Sequence, residues 1–299
     1  MQGVWVTGRG GFVAPHIAAH AQARGGIKVL SSDLDVRDRD AVATFLQAAR
    51  PDAIVHLAAQ SHVPASFADP RDTLDTNLMG TLSVLQACRD AGFEGRLLFV
   101  SSGDVYGLLD PTELPVRESR PARPRNPYAV SKVAAELLCW QWNITEGLDV
   151  VIARPFNHIG PGQSERFVVA DFARQIIEIR QGKREPVLHV GDIDVTRDFC
   201  DVRDIVSAYF ALLEKGRRGE IYNVCSGVER TVRSVIERLL SLAGVRADIV
   251  QESARLRRAE QRRVQADCSR LQNDTGWRAA IEFDRTLEDI LDYWESQLK

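Results

Sequence analysis

The chain reads as an α/β protein: a doubly wound parallel sheet followed by a smaller C-terminal α/β domain. Three observations lead there. A glycine-bearing turn, Gly8-x-x-Gly11, separates the apolar run Val4–Val6 from a helical stretch, Phe12–Arg24. Short apolar runs then alternate with helical patterns through the first half, as helices covering both faces of a parallel sheet require. After Arg154-Pro155 the pattern changes: glycine and proline cluster at Gly160-Pro161-Gly162, and apolar runs become shorter and more widely spaced. The expected division is 1–155 and 156–299, with some later segments able to return to the main sheet.

Val4–Val6 is read as the first strand and Phe12–Arg24 as the helix after it. Lys28–Leu30, Ala53–Leu57, Leu97–Val100 and Val150–Ala153 read as further strands. Helical stretches fall at Ala41–Ala49, Thr73–Ala91 and Tyr128–Glu146. The segment Asp110–Pro127 holds five prolines and four arginines and reads as a loop leading into the Tyr128 helix.

Composition narrows the function classes. Apolar residues make up 44% of the 299 residues and charged residues 26%, the balance of an ordinary globular protein. A formal net charge of −3 gives no basis for nucleic-acid binding. The sequence opens MQGVWVTG, without a basic and apolar leader pattern, and no apolar run approaches the ~18 residues of a membrane span. The five cysteines are scattered without a C-x-x-C pair, which suits reduced thiols and argues against a disulfide framework or a metal site. A cytoplasmic location is the expectation.

The stretch Val4 to Ala14 has the strand, tight turn and helix start that a pyrophosphate needs. Gly8 permits the turn, and Gly10 and Gly11 let the backbone approach the phosphates. Free N–H groups at Phe12 and Val13 open the helix toward negative charge, and Ala14 is small enough for close helix–strand packing. The first half is therefore expected to be a Rossmann sheet binding NADH or NADPH. An acidic residue about 20 positions on is expected at the adenosine ribose; Asp33 and Asp35 are the candidates, with Val36 beside them. Asp33 alone favours a plain ribose, whereas Arg9 and Arg37 favour a 2′-phosphate, so the choice of dinucleotide stays open. Nineteen residues (52 − 33) separate Asp33 from Asp52, fewer than a full strand–helix–strand unit usually needs. Leu57, Ala58 and Ala59, ending a buried strand, let a cofactor lie across the sheet edge. Histidine at position 56 is more often structural than catalytic in such a strand. Asn77 is a candidate for satisfying backbone groups, or a water, behind Lys132.

Tyr128 and Lys132 form Y-x-x-x-K. Four residues apart on a helix, they share one face. A free phenol loses its proton near pH 10, and a nearby cation favours phenolate, bringing proton transfer toward neutral pH. With Ser102 to orient an oxygen, the trio suits moving a proton while a hydride moves at the adjoining carbon.

These strings together resemble the extended short-chain dehydrogenase/reductase (NAD-dependent epimerase/dehydratase) family, across essentially the whole chain. The shared wording is T-G-x-x-G-F-V at 7–13, H-L-A-A at 56–59, S-S-G-D-V-Y-G at 101–107 and Y-x-x-x-K. It continues with R-P-F-N-H-I-G-P-G at 154–162, R-D-F at 197–199 and Gly276-Trp277. The resemblance implies that Ser102, Tyr128 and Lys132 are catalytic, with Tyr128 and Lys132 also touching the nicotinamide end of the cofactor. It places Asn157, Arg197, Arg257 and Glu260 on a nucleotide sugar, Arg197 and Arg257 toward the diphosphate and Glu260 toward the nucleoside ribose. Arg258, Arg262 and Arg263 extend the same basic run, the last two as a solvated face or further contacts. Within the family, NPYAVSK, VGDIDVTRDF and RRAEQRRV are most similar to reductases of GDP-linked 4-keto-6-deoxyhexoses. That implies reduction of GDP-4-keto-6-deoxy-D-mannose to GDP-D-rhamnose, with GDP-6-deoxy-D-talose as the alternative product.

Dehydration of GDP-mannose is the other enzymatic alternative. In the resembling dehydratases the Ser/Thr is followed by an acid pair that removes the C5 proton and the C6 hydroxyl; here the pair is Gly103-Asp104. Asp104 is kept as a substrate-side candidate, but the elimination machinery looks incomplete. A cofactor-sensing regulatory protein is the non-enzymatic alternative, disfavoured because such proteins commonly lose the tyrosine or lysine. The family's habit of pairing the Thr73–Ala91 and Tyr128–Glu146 helices with their mates implies a homodimer.

Overall fold

The structure, a computed structural model, describes residues 1–252 and 261–299. Arg257, Arg258 and Glu260 lie outside the described residues. The first strand, β1 (Gly3–Thr7), turns at the glycines into α1 (Val13–Arg24), which leads to β2 (Lys28–Ser31). There the chain takes a short cut. After β2 comes α2 (Arg39–Ala49), capped by the Asp38 carboxylate on Ala41 N at 3.0 Å, and then β3 (Ala53–His56), paired with β1 on its other side. The short interval between Asp33 and Asp52 holds one helix and no strand, so β2 is left as an edge.

The helical stretch expected at Thr73–Ala91 is interrupted. After the short helix α3 (Val63–Ala68), it is built from the end of α4 (Pro70–Leu74), a π-helical turn (Asp75–Met79) and α5 (Gly80–Asp90). The wide turn lies where buried Asn77 is held: its Oδ1 accepts from Gln60 N at 2.7 Å and its Nδ2 donates to Gln60 O at 3.0 Å. Such bulges are frequent at functional sites. The fourth strand, β4 (Arg96–Val100), precedes 3₁₀ turns at Gly103–Tyr106 and Pro111–Glu113 and the helix α6 (Pro127–Thr145). Next come β5 (Asp149–Pro155), β6 (Asn157–Ile159), α7 (Val168–Arg180), β7 (Val187–Val190) and β8 (Thr196–Asp201). The remaining described elements are α8 (Val202–Lys215), β9 (Ile221–Val224), β10 (Glu229–Thr231), α9 (Val232–Ala243), β11 (Asp248–Gln251), α10 (Ser269–Thr275) and α11 (Phe283–Gln297).

The central sheet runs β2-β1-β3-β4-β5-β9, every neighbour parallel. Its last strand therefore comes from beyond residue 155. One apolar core joins α1 and α8 to one face of the sheet; a second joins α2, α5 and α6 to the other. A third core, in the C-terminal half, joins α7, α9 and α11 around β7. Beside it lie a three-stranded sheet, β10-β8-β6, and the pair β11-β7. The all-parallel pattern puts the C-terminal ends of β1, β3, β4 and β5 along one edge, where open α/β sheets bind their ligands.

Candidate active site

The glycine turn sits at that edge. Gly8 has φ +71°, and a Cβ there would stand 2.9 Å from the Cα and N of Ala58. Only glycine fits this close crossing of two strand ends. Nothing stands within 4 Å of a Cβ built on Gly10, while Gly11 N donates to Gly8 O at 3.0 Å. Phe12, the expected first residue of the helix, is the N-cap of α1, which starts one place later, and the first turn carries no acidic side chain. Free N–H groups at Val13 and its neighbours, with open space at Gly10, fit a pyrophosphate. Thr7 Oγ1 accepts from Leu57 N and Ala58 N at 3.1 and 3.0 Å, which fixes the end of β3. The small side chains of Ala58 and Ala59 follow.

His56 is structural, as its strand position suggested. Thr7 Oγ1 already accepts two N–H groups, so its hydroxyl donates to His56 Nδ1 at 2.9 Å. Thr81 Oγ1 donates to Asn77 O at 2.6 Å and so accepts from His56 Nε2 at 3.1 Å. Burial, helped by the Lys132 charge, pushes this imidazole down to about 3. It is neutral and fully engaged.

At the adenosine end, Arg9 Nε lies 2.6 Å from Asp33 Oδ1, both side chains largely exposed. Asp35 grips Arg37 through Nε and Nη2, and this pairing holds its carboxyl below the usual range. Val36 turns inward and is buried in the core beside Gly80.

The 3₁₀ turn after β4 presents Ser102, whose Oγ caps Asp104 N at 3.1 Å. Asn126 caps α6 through Ala129 N at 2.7 Å, and Pro127 occupies the first turn, so Tyr128 projects from a fixed helix start. Ser102 lies beside Tyr128 and favours the ionised phenol. Here the structure departs from the expectation of a lowered phenol. Burial pushes Tyr128 up to about 12, outweighing Ser102, which lowers it, and Asp104 raises it further. Lys132 Nζ donates to Val100 O at 2.8 Å and lies 5.0 Å above the Phe99 ring. Burial brings that amine down to about 8, against opposing pulls from Cys139 and Glu136. Asn77 serves the first of the roles considered for it: besides gripping Gln60, it donates to Ser131 Oγ at 2.8 Å, tying the loop after β3 to α6.

One buried group escaped the sequence reading. Arg154 forks onto Glu136 at 2.9 and 2.6 Å, and Ser101 Oγ donates to the same carboxylate. Glu136 is one turn beyond Lys132 on α6, a spacing that was visible; its partner on β5 was not.

Asp104 Oδ2 accepts from Asn126 Nδ2 at 2.8 Å. A Cβ at Gly103 would meet the Phe156 ring at 2.8 Å. The space a side chain would need there is already filled.

On the other side of the cleft, β6 and β8 pair with Asn157 opposite Phe199, which places Asn157 and Arg197 on adjacent strands. Arg197 Nη1 donates to Thr196 O and Gln261 O at 2.7 and 2.8 Å. Asp198, between Arg197 and Phe199, faces inward. It is buried and takes hydrogen bonds from Ser226 N and Oγ (2.8 and 2.6 Å) and Gly227 N (3.0 Å). His158 stacks on Phe12 with ring centres 6.0 Å apart, and Gln163 Nε2 donates to His158 O at 2.9 Å. Arg262 pairs with Asp192, and Arg263 forks onto Glu229, the bond at Nη2 being 2.7 Å. Both belong to a solvated face.

The model of the GDP-mannose 4,6 dehydratase family matches residues 14–290. The chain belongs to that family, a branch of the extended short-chain dehydrogenases/reductases. Among its relatives is the GDP-6-deoxy-D-mannose reductase of Pseudomonas aeruginosa, 49% identical over 301 residues, covering 100% of this chain and 99% of that one. The structure of RMD from Pseudomonas aeruginosa complexed with NADPH superposes with a TM-score of 0.95 at 49% identity, covering 99% of this chain and 100% of the other. The UDP-glucose 4-epimerase of Thermus thermophilus, complexed with NAD, has a TM-score of 0.87 at 30% identity over 98% of each chain. The family's fold is thus the fold described above.

Proposed function

We propose that this chain is an NAD(P)H-dependent reductase that converts the 4-ketone of GDP-4-keto-6-deoxy-D-mannose to the alcohol of GDP-D-rhamnose. The observation that carries reduction over dehydration is at Gly103. An acid at this position would collide with the Phe156 ring, and Asp104 is engaged by Asn126. Full-length similarity to a GDP-6-deoxy-D-mannose reductase supports the substrate class. Relatives holding NADPH in one case and NAD in another support the cofactor class.

A bound reduced nicotinamide supplies the hydride to C4. The residues of the chain do the rest. Tyr128, a neutral phenol in its buried setting, gives its proton to the oxygen that becomes the alcohol. Ser102 holds that oxygen and the phenol in one line. Lys132, a turn along the same helix face, favours the phenolate as it forms. Gly8, Gly10, Gly11, Phe12 and Val13 hold the pyrophosphate, with Asp33 or Asp35 at the ribose. Asn157 and Arg197 hold the nucleotide sugar, guanidinium to phosphate.

The same reading includes a homodimer in a reducing, cytoplasmic setting. All five cysteines are buried and free. Val130, Leu137, Trp140 and Ile144 stand 44–63% exposed at heptad-like spacing on α6, with Met79 and Phe67 exposed on the preceding helical stretch. A contiguous apolar stripe of this kind marks an interface.

The test mixes the protein with GDP-4-keto-6-deoxy-D-mannose and NADH or NADPH. Cofactor oxidation is followed by absorbance and the product sugar identified by NMR. Oxidation with GDP-D-rhamnose as product is expected. GDP-6-deoxy-D-talose would reassign the face of the ketone, and no oxidation, with GDP-mannose consumed instead, would make the chain a dehydratase.

A further inference from the structure

We propose that Gln261 is a positioning residue for the nucleotide sugar: it holds the Arg197 guanidinium in place against the loop that follows Ser102. The inference rests on the reading of Arg197 as a diphosphate ligand given above. Gln261 is a polar residue only 6% exposed, and both polar atoms of its amide are engaged. Oε1 accepts from Leu109 N at 2.9 Å, while Nε2 donates to Leu109 O at 3.2 Å and to Arg263 O at 2.6 Å. The side chain therefore pairs with Leu109 as a second backbone would, in both directions. Its own main-chain O accepts from Arg197 Nη1 at 2.8 Å.

Both ends of this bridge lead to the site. Leu109 lies seven residues after Ser102 (109 − 102), and the chain between them is fixed. Arg123 N donates to Val105 O at 2.9 Å, and Arg120 Nη1 and Nη2 donate to Tyr106 O and Leu108 O at 2.6 and 2.8 Å. At the other end, Thr196 O accepts from the same Arg197 Nη1 at 2.7 Å, and Thr196 N donates to Arg262 O at 2.9 Å. Ser102 and Arg197 come from opposite sides of residue 155, and Gln261 ties one to the other.

A guanidinium that grips a diphosphate makes the same contact before and during hydride transfer. Loosening it weakens binding and leaves the chemical step alone. An apolar side chain of similar length at 261 would leave Leu109 N and O buried without partners, so the loop and the carbonyl that fixes Nη1 must shift. A residue that merely braced the fold would instead disturb dinucleotide binding and turnover as well, and independently of Arg197.

The experiment is a double-mutant cycle on the full chain, Gln261→Met and Arg197→Ala singly and together. It is read by isothermal titration with GDP and by steady-state reduction of GDP-4-keto-6-deoxy-D-mannose at saturating NADPH. Gln261→Met should weaken GDP binding and raise KM, each about tenfold. Turnover and NADPH affinity should stay within about twofold of the wild type. In the Arg197→Ala background the same substitution should cost less than about twofold. Gln261→Glu keeps the length and the acceptor for Leu109 N, so it should give a smaller loss, and it carries the cycle if the methionine variant does not fold. Unchanged GDP affinity, an effect that adds in full to that of Arg197→Ala, or a fall in kcat with KM unmoved overturns the proposal. GDP bound as tightly by Arg197→Ala as by the wild type overturns the reading of Arg197, and the role of Gln261 with it.

Discussion

At Tyr128 two influences oppose each other. Burial retains the proton, raising the phenol to about 12, while Ser102 beside it eases its loss. The spacing of Tyr128 and Lys132 was legible because a helix places residues four apart on one face. The direction of the phenol's shift was not, since it depends on desolvation by residues distant in sequence. A proton donor with no replacement is hard to bypass: Tyr128→Phe should lower turnover by at least ~10²-fold. Dinucleotide affinity, measured by titration, should change little. Unchanged turnover would remove Tyr128 from the chemistry.

His56 gives a prediction of another kind. Its folded-state value, about 3, lies below the ordinary 6.5, so the unfolded chain takes up a proton first as pH falls. The stability is complete above 6.5 and is lost progressively down to about 3, at up to about 1.4 kcal/mol per pH unit. Urea unfolding between pH 6.5 and 4 should show a shallower pH slope in His56→Gln than in the wild type. Equal slopes would show that His56 does not carry the effect.

Among the elements, α6 gathers the most of the site. Its cap fixes Tyr128, its inner face carries Lys132 and Glu136, and its outer face carries the exposed apolar stripe. Its start was readable to within a residue because the proline-rich segment Asp110–Pro127 leads into it. The break between α4 and α5 was not, because the π-helical turn is stabilised by Gln60, seventeen residues before Asn77. The Glu136–Arg154 pair was equally hidden, one partner lying on a helix and the other on β5. Replacing Glu136 by Gln leaves a guanidinium that is about 95% buried without its counter-charge. A loss of about 3–5 kcal/mol in denaturant-measured stability is expected. A loss under about 1 kcal/mol would mean that Arg154 finds other compensation.

For the whole molecule, the parallel sheet followed from the alternation of apolar runs and helices, and its shortened edge from the nineteen-residue interval after Asp33. The assignment of later strands to separate sheets had no local signal, because β6, β7 and β8 are short and pair across long stretches of chain. The stripe on α6 bears on assembly. Leu137 and Ile144, 63% and 62% exposed, should lie within the dimer contact. Charged substitutions, Leu137→Glu with Ile144→Glu, should convert a dimer to a monomer in sedimentation equilibrium. A wild type that sediments as a monomer would dispose of the interface.

The sheet's closing strand also governs the order in which the molecule can be made. On the ribosome, β5 emerges long before β9, and until residue 224 has left the exit tunnel the edge from Ile152 to Pro155 has no neighbour. That edge is buried in the finished protein, and an apolar strand edge left bare invites pairing with other nascent chains. The hydrogen bond from Tyr106 to Asn223, at 2.7 Å, must wait for the same arrival. A fragment stopped at residue 155 should therefore aggregate, and one extended through residue 224 should gain solubility when the two are expressed side by side. The glycine turn comes off the ribosome long before β9, yet the sheet that supports it is completed only when that strand from the later half of the chain has been delivered.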